Sequence, residues 1–313
     1  MHLIETRDLC YSYKAAPALK QVNFIAERKR KIAIIGANGA GKSTLFKHFC
    51  GILHPISGEI LIRGEPITKK NLKEVRKTVG VVFQNSDDQI FSVTVEQDIA
   101  FGPTNLGLDE ETIQHRVVQA MELLSITHLA SRPPHQLSGG EKKRVAIAGV
   151  LAMEPSVLVL DEATAGLDPK GVRDLMEFLQ RLPEELGMTV IFATHHTDLV
   201  IELADIVYVM DKGAIVATGS VDEIFSQFEL LDRLGFDLPA IPLLHKKLQE
   251  RGFSVPMAYH VDESLDLLTS YMNLATPRVG GKTPHLLSSM EDLNNSCLNA
   301  SRGDGEAPPQ EPK

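Results

Sequence analysis

With 313 residues the chain can bury a sizeable core, as one large domain or as one domain with an appendage. Hydrophobic residues make up 43% and charged residues 23%, a globular balance, and the formal net charge of −9 argues against nonspecific binding to nucleic acid or anionic lipid. No apolar run reaches the length of a membrane span, and Met1-His2-Leu3-Ile4-Glu5 lacks the apolar stretch of a signal peptide, so a cytoplasmic location is expected.

Residues 1 to about 30 alternate apolar and polar positions (Leu3, Leu9, Tyr11, Tyr13, then Leu19, Val22, Phe24), which predicts antiparallel strands. Lys31-Ile32-Ala33-Ile34-Ile35 is a short β-branched strand. It runs into Gly36-Ala37-Asn38-Gly39-Ala40-Gly41-Lys42-Ser43, which fits the phosphate-cradling pattern G-x-x-x-x-G-K-[ST] and leads into a helix from Thr44. Glycines let successive N–H groups turn inward on phosphates, and the helix N-terminus adds partial positive charge. Gly36, Asn38, Gly39, Ala40, Gly41, Lys42, Ser43 and Thr44 are therefore the nucleotide-binding candidates, Lys42 reaching the β- and γ-phosphates and the Ser43 hydroxyl ligating Mg²⁺.

Further on, Gly58–Gly64 reads as β-rich, Val79–Phe83 as a buried strand and residues about 110–130 as a helix. Val157–Leu160 and Thr189–Ala193 are continuous apolar runs, as strands of a parallel sheet covered on both faces should be. A helix lies between them (Val172, Leu175, Met176, Leu179), and Ile206–Met210 with Ala214–Ala217 predicts a closing hairpin. Strand–helix alternation implies an α/β core. Cys10, Cys50 and Cys297 show no metal-like spacing, and of eleven histidines only His195 and His196 adjoin, so reduced thiols and no intrinsic metal site are expected.

The strand at 157–160 ends in Asp161 and Glu162, placing two carboxylates at the carboxyl end of the sheet, where ligands bind. Asp161 can hold Mg²⁺, and Glu162 can orient or deprotonate an attacking water. Ser138 with Glu141 three residues later makes a capping box for the helix along Arg144–Ile147. Capping leaves Gly139 and Gly140 unexplained; glycines there suit close backbone approach to a ligand.

Leu137-Ser138-Gly139-Gly140-Glu141, followed by Lys142-Lys143-Arg144-Val145-Ala146-Ile147-Ala148, resembles the signature of the ATP-binding-cassette family. Gln84 after the Phe83 strand, Ala165-Gly166-Leu167-Asp168 after the acidic pair and His195 after the next strand complete that family's set in order, over residues 1 to about 225. The resemblance implies a P-loop NTPase fold: an α/β core with a parallel sheet, an antiparallel β subdomain and a helical signature subdomain. It implies ATP and Mg²⁺ as cofactors, Glu162, His195 and Gln84 as catalytic residues, and Ser43, Gln84 and Asp161 around the metal. It also implies Tyr13 stacked on adenine, and Ser138, Gly139, Gly140 and Glu141 meeting the γ-phosphate held by another subunit, with Asp168 at that dimer interface. A dimer partner, self or paralogous, follows.

Phe83–Phe91, Val95–Pro103, Lys142–Gly149 and, more weakly, Asp237-Leu238-Pro239 are similar to ATPase subunits of energy-coupling-factor importers, especially the cobalt and nickel ones. In that group the region after Gln84 docks a helix of an integral membrane subunit, which would place the chain at the cytoplasmic face of the membrane with Asp87 and Asp88 as docking residues. The chain departs from the family pattern at Glu141 (usually Gln), Ala163 (often Pro), Arg28-Lys29-Arg30-Lys31 (usually a Gly-Glu turn) and His196 (often Asp). None of these removes a phosphate ligand, and alignment favours His195 over His196. Residues 1–227 are expected to form the cassette, 228–274 a small helical extension broken at Pro242 and Pro256, and 275–313, rich in Gly, Ser, Asn and Pro, a disordered tail. Other readings are a vitamin importer of the same group, a soluble cassette ATPase acting on DNA or ribosomes, and a regulator that binds nucleotide without turnover. The acidic balance, the absence of sustained heptads between Lys42 and Ser138, and the presence of Glu162 and His195 weigh against the last two.

Overall fold

The alternating N-terminal residues form β1 (His2–Tyr13) and β2 (Ala16–Glu27), an antiparallel pair in a computed structural model that describes residues 2–14 and 16–275. Next come β3 (Lys31–Ile35), α1 (Lys42–Phe49), β4 (Ser57–Ile62), β5 (Glu65–Pro66), α2 (Leu72–Thr78) and β6 (Val79–Val82). β4 returns to pair with β1, giving a four-stranded antiparallel sheet in the order β2-β1-β4-β5. After β6 the helices α3 (Val95–Leu106), α4 (Glu110–Leu123) and α5 (Gly139–Leu151) form a layer of their own. Then follow β7 (Val157–Asp161), α6 (Pro169–Glu185), β8 (Thr189–Ala193), α7 (Thr197–Leu203) and the hairpin of β9 (Ile206–Asp211) and β10 (Ala214–Gly219). The second sheet has the order β10-β9-β3-β8-β7-β6, parallel throughout except for β10 at its edge.

Side chains alternate between the two faces of a strand, and both faces of this sheet are covered. Ala33, Ile35, Leu158, Leu160, Val190 and Phe192 join a core with Val95 and Ile99 of α3, Val117 of α4, Ile147 of α5 and Leu175 of α6. Ile32, Ile34, Val157, Val159 and Ile191 face the other way, into a core with Leu45, Phe46 and Phe49 of α1 and Leu9 and Phe24 of the antiparallel sheet. The large sheet is thus clamped between helices and the small sheet. Its carboxyl edge stays free for chemistry.

The chain ends in α8 (Val221–Phe225), α9 (Phe228–Arg233), α10 (Ala240–Glu250) and α11 (Val261–Ala275). Two compact units divide at Leu265/Asp266. The first includes residues 228–265: Leu231 is fully buried, Phe236 and Leu238 pack on the core, and the Thr197 hydroxyl donates to the Asp237 carbonyl at 2.9 Å. Of the second unit, Asp266–Ala275 is described and is helical. The tail expected from 275 onward, with Cys297, lies from residue 276 outside the described residues.

Two expectations change. The helix predicted over 110–130 stops at Leu123, because Ser125 takes a left-handed φ of 56°, and a 3₁₀ turn at Thr127–Leu129 follows. Pro242 does not break its helix: it sits in the first turn of α10, where a missing N–H costs no hydrogen bond.

Candidate functional site

The turn after β3 depends on its glycines. A Cβ at Gly36 would sit 2.6 Å from the Met210 carbonyl oxygen, and one at Gly41, where φ is 109°, 2.8 Å from that of Ala18. Gly39 needs its positive φ of 80°. α1 starts behind this turn with Gly41 as its cap and no side-chain hydrogen bond, which leaves the first N–H groups of the helix for a ligand. Lys42 is buried, and its Nζ donates to the carbonyls of Gly36 (2.6 Å) and Ala37 (3.2 Å), spanning the loop like a clasp. Burial lowers its pKa, while the charges of Glu162 and Asp161 act to raise it.

Asp161 ends β7 with 3% exposure. Burial pushes its carboxyl up, opposed first by a hydrogen bond from Ser43 and aggravated by the neighbouring charge of Glu162. Glu162 takes the left-handed conformation (φ 49°) and its N–H donates to Ala193 of β8 at 3.1 Å. One of its carboxylate oxygens accepts from Gln84 Nε2 at 2.9 Å, and the other lies 3.9 Å from His195 Nδ1. Residues 84, 162 and 195 leave three different strands of one parallel sheet and meet at its carboxyl edge. His196 stacks beside His195, ring centroids 4.1 Å apart, with its N–H on the Thr194 hydroxyl.

A cleft of about 500 Å³ lies over this edge, lined by Tyr13, Asn38, Gly39, Lys42, Ser43, Thr44, Gln84 and Glu162. Tyr13 is 45% exposed and is held edge-to-face by Tyr11 at 5.0 Å. An aromatic ring, a glycine-rich turn with a buried lysine, and a carboxylate thus share one cavity.

Ser138, Gly139, Gly140 and Glu141 stand apart from that cleft. Ser138 caps α5: its hydroxyl accepts from the Glu141 N–H, and the Glu141 carboxylate accepts from the Ser138 N–H at 2.8 Å. These hydrogen bonds lower the pKa of Glu141. A Cβ at Gly139 would meet no atom within 4 Å. Asp168 caps α6, accepting from the Gly171 N–H at 2.9 Å. Asp87 belongs to a 3₁₀ turn (Ser86–Asp88) and accepts from Lys142 Nζ at 2.5 Å, so its charge is already partnered within the chain; Asp88 is exposed beside it.

Three further side chains shape this region, none of them given a role of its own from the sequence. Lys143 is 3% exposed, and its Nζ donates to the carbonyls of Gln84 (2.7 Å) and Phe83 (3.4 Å). Gln89 bridges the Phe83 N–H and the Val81 carbonyl, and Asp98 accepts from the N–H groups of Phe91 and Ser92. One signal was available for Lys143: it falls at helical spacing with Ala146, Ile147 and Val150, on the face that turns out to be buried.

Residues 19–165 match the ABC transporter family. The chain is 64% identical over 277 residues to an energy-coupling factor transporter ATP-binding protein EcfA of Methanoculleus marisnigri, covering 88% of this chain and 100% of that one. It is 50% identical over 262 residues to the protein of the same name from Methanocaldococcus jannaschii (83% and 93% covered). Among solved structures, cbiO1 from Clostridium perfringens, part of the ABC transporter complex cbiONQ, superposes with a TM-score of 0.67 at 45% identity over 78% of this chain and 99% of that one. A dimeric post-hydrolysis state of the ATP-binding cassette MJ0796 bound to ADP and Pi gives 0.65 at 26% identity (70% and 98% covered). The chain therefore belongs to the ABC transporter family, as an ATP-hydrolysing subunit of the energy-coupling factor type.

Proposed function

We propose that this ATPase works as a dimer, with itself or a paralogue, docked on integral membrane subunits at the cytoplasmic face of the membrane, and powers uptake of a transition metal ion such as cobalt or nickel. The observation that carries the reading is a division: a cleft lined by the phosphate-loop residues, Gln84 and Glu162, and apart from it a capped glycine turn with open space over Gly139. A second subunit would lay its Ser138–Gly140 turn over the phosphates held here, with Asp168 near that seam, and receive the same in return. In each cleft Lys42, the loop N–H groups and the first turn of α1 bind the phosphates, and Tyr13 takes the adenine. Glu162, oriented by Gln84 and His195, removes a proton from the attacking water. Ser43 with Asp161, a buried carboxylate beside a hydroxyl, is a hard oxygen pair of the kind Mg²⁺ prefers, and Gln84 would complete the set. When bound, that ion would neutralise charge on the phosphates.

Docking is supported by a groove of about 650 Å³ bordered by Asp88, Phe91, Phe101 and Leu106. Phe91 and Phe101 are 65% and 49% exposed and meet edge-to-face at 4.7 Å, an apolar surface rimmed by charge, as protein contact sites are. The metal cargo rests on the overall resemblance of the chain to the cobalt and nickel importers of that group; a vitamin of the same transporter group is the alternative. The test is co-expression with the membrane subunits and reconstitution into vesicles. ATP-dependent uptake of labelled cobalt or nickel is expected, uptake of a vitamin alone would move the cargo to the alternative, and failure to form any complex would refute the transport reading. Asp88→Asn should weaken co-purification while leaving soluble ATPase activity within about twofold, since an interfacial charge pair that loses one member costs roughly 2–5 kcal/mol.

A further inference from the structure

Lys143 is a charge buried where the chain has little use for it as a source of stability. The residue is 3% exposed, and the acceptors its ammonium reaches are two main-chain carbonyls, of Gln84 and Phe83. No carboxylate lies within ion-pair distance among the described residues, although burial, which lowers its pKa, is opposed by the nearby charges of Asp161 and Glu162. Those two carbonyls mark the point where the chain leaves β6. There the Phe83 N–H is held by the Gln89 side chain and the carbonyls by Lys143, so side chains rather than a strand ladder fix the turn. The turn sets the Gln84 amide, which donates to Glu162 at 2.9 Å. The neighbouring Lys142 grips the same segment from outside through Asp87.

Lys143 rides on α5, which begins at the exposed Gly139 behind its Ser138 cap, about 6 Å away along the helix axis at 1.5 Å per residue. We infer that Lys143 is a positioning residue that ties the main chain at Gln84 to the signature helix, so that when another subunit's nucleotide engages Ser138 and Gly139 the movement of α5 resets Gln84 and Glu162 in this subunit's own cleft. The inference rests on the shared-site reading above and adds a direction to it: each site is told through Lys143 whether the other is filled.

The experiment uses the full chain and the variant Lys143→Met, which keeps the length and apolar stem and removes the donors. The parent should hydrolyse ATP with a Hill coefficient approaching 2, the number of sites in a dimer. In Lys143→Met, kcat should fall about tenfold, equal to about 1.4 kcal/mol of barrier, the Hill coefficient should fall toward 1, and KM for ATP should stay within about twofold. Lys143→Gln, which restores an N–H donor, should recover part of kcat and of the cooperativity, and it carries the test if the Met variant fails to fold. In the Glu162→Gln background, ATP-driven dimerisation by light scattering should occur with or without Lys143→Met. If Glu162→Gln alone fails to dimerise, the shared site falls. If it dimerises and Lys143→Met keeps the parental kcat and Hill coefficient, or if kcat and KM worsen together in both Lys143 variants alongside a lowered Tm, the positioning role is overturned.

Discussion

Glu162→Gln separates binding from chemistry in this site. In the structure Glu162 is 12% exposed, with one oxygen 2.9 Å from Gln84 Nε2 and the other 3.9 Å from His195 Nδ1. Glutamine has the same shape, and its carbonyl oxygen can still accept from Gln84, so the turn at 84 and the edge of the sheet should hold. Lys42 stays clasped to the Gly36 and Ala37 carbonyls, so the phosphate cradle is untouched. What disappears is one negative charge and the basic carboxylate that the proposed mechanism uses to take a proton from water. General-base contributions run from about 10² to 10⁴ in rate, so even the lower figure removes roughly 2.7 kcal/mol of barrier lowering. The assay is phosphate release at saturating MgATP beside an ATP titration of the same preparation. Turnover should fall at least about a hundredfold while the ATP Kd moves by less than about threefold. Turnover within tenfold of the parent, with binding intact, would show that the proton goes elsewhere and would remove Glu162 from the mechanism.

Two further outcomes follow from the same geometry. Gly139→Ala has open space within the chain, so the Tm of the isolated protein should hold or rise slightly, helix propensity favouring Ala by up to about 1 kcal/mol, while ATP-driven dimerisation and turnover drop; Gly41→Ala, at φ 109° and 2.8 Å from a carbonyl, should instead lower the Tm in thermal scans. Full activity in Gly139→Ala would argue against a nucleotide approaching that turn. Because burial raises the Asp161 carboxyl above its ordinary 3.8, the native state keeps that proton to higher pH than the unfolded chain, so the contribution to nucleotide-free stability is present at low pH and fades as pH rises through the raised native value. Asp161→Asn should flatten that dependence and raise the Tm near pH 8, by roughly 2–4 °C for each kcal/mol relieved; a lower Tm for the variant would mean that the Ser43 hydrogen bond outweighs burial.

What the sequence determined by itself is local. The phosphate loop was legible because its glycines, its lysine and the helix behind it act through short-range backbone geometry, and the structure needs Gly36, Gly39 and Gly41 for close approach or positive φ. The capping box at Ser138 and Glu141 closes over three residues, and the structure contains both of its hydrogen bonds. Apolar runs announced the buried parallel strands for the same reason: a strand covered on both faces has no polar side to show. Where a local rule was stretched too far, at the end of α4 and at Pro242, one backbone conformation or one position within a helical turn decided the matter. Only the tertiary structure could decide the partnerships. Gln84 meets Glu162 across 78 residues because the sheet order sets β6 beside β7, and Lys142 meets Asp87 across 55 because α5 packs on the turn after β6; no stretch of chain encodes either alone. The burial of Lys143 is of the same kind. A lysine in a helix usually lies in water, and this one does not, because α5 packs its face against the end of β6 and leaves the ammonium two carbonyls to hold.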